Sequence, residues 1–92
     1  MAEAILRIIG ERQGGAPGTR ELVMATIYDV EQTIHGDFSC RVNIPAVLDR
    51  DRHIFGADEG NAREVSAHFV RNLFHGLRIQ ICQEETVSRR RE

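Results

Sequence analysis

Apolar residues recur with a period of two through most of the chain and with a period near 3.6 in one stretch only. Residues 4–12 carry Leu6 and Ile8 on one parity and Ile5 and Ile9 on the other. Period-two geometry sends these sets to opposite faces of a strand. Residues 20–31 repeat the pattern, with Leu22, Met24, Thr26 and Tyr28 on one parity and Val23, Ala25 and Ile27 on the other. Residues 38–44 set Phe38, Cys40, Val42 and Ile44 against Ser39, Arg41 and Asn43, which predicts a half-buried strand. Pro45 ends it or marks an edge. A charged turn, Asp49-Arg50-Asp51-Arg52, precedes a short fourth strand around His53–Phe55. Residues 77–82 alternate Leu77, Ile79 and Ile81 with Arg78, Gln80 and Cys82 and predict a last strand.

Breakers separate these runs. Residues 13–19, QGGAPGT, hold three Gly and one Pro and predict a loop between the first two strands. The next segment is strand-like and no Walker lysine is present, so this is not a phosphate-cradling loop. Residues 32–37, containing His35-Gly36-Asp37, predict the second turn.

From Asp58 to His75 the pattern becomes helical. Ala62, Val65, Ser66, Phe69, Val70, Leu73, Phe74 and Leu77 form one apolar stripe at 100° per residue. Glu64, His68, Arg71, Asn72, His75 and Arg78 share the opposite face. Asp58 is a candidate N-cap, with Asn61 and Glu64 a second capping-box-like choice. Gly76 suits the left-handed position that follows a helix.

The order β-β-β-(β)-α-β predicts a two-layer α+β fold: a mainly antiparallel sheet of four to five strands on one long helix. Residues 1–82 form a single domain and 83–92 a polar C-terminal tail. One helix covers one sheet face, yet the first two strands are apolar on both. An uncovered apolar face predicts a partner, and the commonest is a second copy across a two-fold axis. The alternative is that loops or the tail fold back over that face.

Composition narrows the function classes. A chain of 92 residues is too short for a Rossmann or barrel enzyme. No apolar run approaches the ~20 residues of a membrane span, and no signal-peptide pattern is visible. A formal charge of −2 argues against nucleic-acid binding by bulk electrostatics. All 12 basic residues are Arg, which excludes Schiff-base lysine chemistry. Two cysteines, Cys40 and Cys82, make no disulfide framework, so the expected location is cytoplasmic with reduced thiols.

Phe38-Ser39-Cys40, the charged turn, and Phe55-Gly56-Ala57-Asp58 opening the helix are similar to a family of small bacterial strand-rich domains of unknown function. The resemblance covers residues 4–80. It departs from the family in having Phe-Ser-Cys where a Trp is common, and in a longer charged insert. It implies the fold and transfers no catalytic residue.

Candidate chemistry is sparse. Glu64, His68, Arg71 and His75 on the helix, with His53, are the candidates for a surface site. Seven residues separate His68 from His75, about 10 Å along the axis. Metal bonds of ~2 Å cannot span that without a bridging or partner ligand. Asp49, Asp51 and His53 could serve acid–base chemistry only if buried, and alternating charges in a turn stay solvated. Cys40 sits on the apolar parity of its strand, which makes it a core thiol rather than a nucleophile. Arg89-Arg90-Arg91 reads as a solvated basic tail. The sequence therefore predicts no catalytic residue, no metal and no cofactor. The expected function is a non-catalytic, self-associating interaction module that can also engage an unidentified protein. The alternatives are an inhibitor or immunity-type protein capping another protein, or a metal-binding or hydrolytic protein using the His and Cys residues.

Overall fold

The computed structural model describes residues 2–87. Its strands are β1 (Ala4–Gln13), β2 (Arg20–Tyr28), β3 (Glu31–Gln32), β4 (Phe38–Asn43), β5 (Arg52–Gly56) and β6 (Gln80–Thr86). Its helix is α1 (Glu59–Gly76). All six of these strands pair antiparallel in one sheet. The fold is α+β, as the alternation predicts.

Strand β4 organises one half of the sheet. Val42 pairs with Ile27 and also with Arg52, while Phe38 pairs with Gln32 and also with Gly56. So β2 and β3 share one edge of β4, and β5 takes the other. The predicted strand over 20–31 breaks at Asp29–Val30, where Asp29 accepts from the Val30 amide and from Arg63 on the helix at 2.9 Å. β3 is the short continuation past that break, and it adds a sixth strand to the four or five expected. The turn that follows is closed by Thr33 and Asp37, with Gly36 at φ 89°.

Two bulges set the faces. Ile5 is the extra residue between Ala4↔Tyr28 and Leu6↔Ile27. Cys82 is the extra residue between Gly10↔Ile81 and Ile9↔Gln83. A bulge shifts side-chain parity on its strand. It therefore turns Ile81 and Glu84, three apart, to the same side. The last strand begins at Gln80 rather than 77 and runs to Thr86, so residues 83–86 belong to the sheet and not to a tail. Arg89-Arg90-Arg91 lies outside the described residues.

Helix α1 runs between the two edge strands, across one face. Ile8, Val23, Ala25, Ile27, Cys40 and Val42 from the sheet meet Ala62, Ala67, Val70 and Phe74 from the helix, and all are buried. Burying a side chain such as Phe74 or Val70 contributes roughly 1.5–3 kcal/mol each. The buried stripe is rotated from the predicted one: Ala67 is inside, while Val65 and Leu77 are exposed. At the helix's far side Arg71 binds Glu84 of β6 through Nε at 2.9 Å and a terminal nitrogen at 2.7 Å, a fork that ties the helix to that strand. Gly10 makes room there, because a Cβ at that position would collide with Ile79 and press on Phe74.

The helix ends follow capping rules with one substitution of roles. Asp58 is the N-cap, accepting from the Asn61 amide at 2.8 Å, and the Asn61 side chain accepts in turn from the Ala57 amide. At the other end Gly76 is still helical and Leu77 is the C-cap. The left-handed residue is Arg78, at φ 61°. The Ile79 amide donates to Phe74 and the Arg78 amide to His75, which is a Schellman motif with Arg in the position Gly usually holds. Among the described residues, no helix is long and apolar enough to cross a membrane.

Candidate interaction face

Among the described residues, no element of secondary structure covers the face of the sheet away from α1. Its centre is apolar. Ile9 of β1 pairs with Met24 of β2, and Leu22 stands one step further along. Met24 is 48% exposed and Leu22 66%. Their neighbours of opposite parity, Val23 and Ala25, are fully buried. The alternation of β2 thus splits cleanly between core and open face, as a two-faced apolar strand requires.

Charged residues ring this centre, and they pair with one another. Arg20 reaches Glu11 at 3.1 Å, Arg7 stands 3.9 Å from Glu85, and Arg41 reaches Asp51 at 2.7 Å. In each of these three pairs a cation is matched by an anion.

The segment between β4 and β5 folds onto one flank of the face. Asp51 accepts from Asn43 at 2.8 Å as well as from Arg41. The Arg41 guanidinium lies over the Tyr28 ring, 3.9 Å from its centroid. Hydrogen bonds from Asn43 and then Arg41 hold the Asp51 carboxyl below its ordinary value. The charged turn is therefore an ordered strap at Asp51 rather than a wholly solvated turn. It leaves Leu22 and Met24 uncovered.

The surface-site candidates do not come together. Glu64, His68 and His75 are exposed on the helix. Arg71 is committed to Glu84, which is held below its ordinary value by that bond. His53 pairs with Arg41 on the open sheet face, the far side of the molecule from the helix. Among the described residues, no three His, Cys, Asp or Glu side chains group to hold a metal ion. Cys40 is fully buried; burial pushes its thiol up, with a hydrogen bond from Ser66 opposing. Such a thiol is a poor nucleophile. Cys82, the bulge residue, is exposed.

Asp51, Asn43 and Tyr28 escaped sequence reasoning as a group. Arg41, Asn43 and Tyr28 do share the outward parity of their strands, and that was the available signal. No family model, curated protein or solved structure matches the chain.

Proposed function

We propose that this protein is a small non-catalytic interaction module that self-associates through the uncovered face of its sheet. The observation that carries the reading is the exposed Leu22–Met24 pair at the centre of a face whose charges are already paired. A second copy of the same face offers matching apolar surface and a balanced rim.

Light scattering on a size-exclusion peak, over a wide dilution series, tests the reading. The wild-type chain is expected at twice its 10.4 kDa mass. Leu22→Glu and Met24→Glu are each expected to give monomers with unchanged thermal stability of the single chain, since both side chains are exposed. A wild-type monomer throughout, or dimers in both variants, would sink the proposal.

A further inference from the structure

A second feature lies at the end of the sheet, where the strand registers run out. β6 pairs with β1 only as far as Glu11↔Gln80, while β1 continues through Arg12 and Gln13 opposite β2. The step leaves a notch of about 380 Å³, and Leu77 and Arg78 complete its lining. Three arginines contribute to it from three elements: Arg12 from β1, Arg20 from β2 and Arg78 from the helix–β6 connection.

We propose that this notch binds a small molecule bearing a dianionic oxyanion group, either a phosphate ester or a dicarboxylate. Arg12 and Arg20 each spend one terminal nitrogen on a carboxylate, Glu21 and Glu11 respectively. A guanidinium has five N–H donors in a planar fork, so both retain donors for an incoming oxyanion. Arg78 makes no ion pair with any described residue. Gln13 and Gln80 add neutral amides to the lining. With Glu11 and Glu21 counted, the group keeps one net positive charge on a chain whose total is −2.

Arg78 also holds a backbone conformation that costs a non-Gly residue stability. Gly76 stands two residues earlier, where left-handed geometry is not needed. A residue kept under strain at a cleft is a reason to ask what its side chain does. The helix C-terminus carries a partial negative charge that opposes an anion. Here the carbonyls of Leu73, Phe74 and His75 are taken up by the amides of Leu77, Arg78 and Ile79.

The test is calorimetric titration with inorganic phosphate and with malonate, against chloride at matched ionic strength. The variants are Arg78→Gly and Arg78→Gln. Saturable binding of phosphate or malonate is expected, with chloride silent, and whichever probe binds names the ligand class. Both variants are expected to lose at least tenfold in affinity. Arg78→Gly is expected to do so while melting higher than wild type, which separates lost binding from lost folding. No binding of either probe, or equal binding by wild type and both variants, would overturn the assignment.

Discussion

Gly56 and Ala62 meet backbone to backbone: a methyl group on Gly56 would fall onto the backbone nitrogen of Ala62. Gly56 ends β5 opposite Phe38, and Ala62 lies in the first turns of α1. The contact seats the helix start on the sheet, and Asp58 between them caps it. The Gly-x-Asp spacing thus combines a steric need with a hydrogen-bonding one.

Gly56→Ala is therefore expected to destabilise the fold by about 1–3 kcal/mol, the range for overpacking, since backbone cannot swing aside as a side chain can. Gly60→Ala is the control. Its Cβ would meet only Asp58 Oδ1 at 3.6 Å, an ordinary contact. Reduced backbone freedom in the unfolded chain should then stabilise it by about 0.4–1 kcal/mol. Urea unfolding of the two variants should move the midpoint in opposite directions; a shift of the same sign would contradict the close contact.

The helix C-terminus invites an exchange of residues. Gly76 sits in helical conformation with open space around its missing Cβ, while Arg78 carries φ 61°. Gly76→Ala should add about 0.5–1 kcal/mol, and Arg78→Gly about 1 kcal/mol or more. Together they should raise Tm by several degrees, at ~4–8 °C per kcal/mol for a domain of this size. Differential scanning calorimetry checks this, and a lowered Tm in Arg78→Gly would refute the strain.

The two thiols should differ sharply in reactivity. Cys40 is fully buried against Ser66, and burial raises its pKa, while Cys82 is exposed on the β6 bulge. A chromogenic disulfide reagent should titrate one thiol per native chain at once, and the second only after denaturant is added. Replacing Cys82 with Ser should abolish the fast phase. Two fast thiols in the native protein would show that the α1–sheet core opens on the timescale of labelling.

How far the sequence revealed this molecule depends on the range over which each feature is encoded. The alternation in β2 and β4, the Asp58 cap and the two-sided apolar strands are local, and spacing alone exposes them. Arg71–Glu84 joins residues 13 apart across a bulge. No local spacing marks that pair, so the wheel placed Arg71 on a solvated face. Residues 83–86, QEET, carry no apolar group on either parity, so their polarity made them look like a tail. Gly76 misled because propensity places Gly at the left-handed site, while the helix runs through Gly76 and the left-handed residue is Arg78, two positions later. At the open face, the parity of Leu22 and Met24 was legible. The strap at Asp51 was not, because the charged turn gives no hint of which strand it folds onto.

Acid should weaken the fold through two carboxylates. Glu84 is held below its ordinary value of 4.5 by Arg71, with partial burial opposing. Asp51 is held below 3.8 by Asn43 and then Arg41. Between the folded and unfolded pKa of such a group, the unfolded chain binds more protons. The stabilisation is therefore complete above the unfolded value and is lost as pH falls through the folded one. About a third of each side chain is exposed, so solvent screening limits each pair to under about 1 kcal/mol. Glu84→Gln should accordingly be less stable than wild type near pH 7, with the gap closing below about pH 4. Urea midpoints measured for both proteins across that range decide it. A gap that stays constant down to about pH 3 would mean that the ionised Arg71–Glu84 fork does not contribute, and that the Glu84→Gln variant differs from wild type through packing alone.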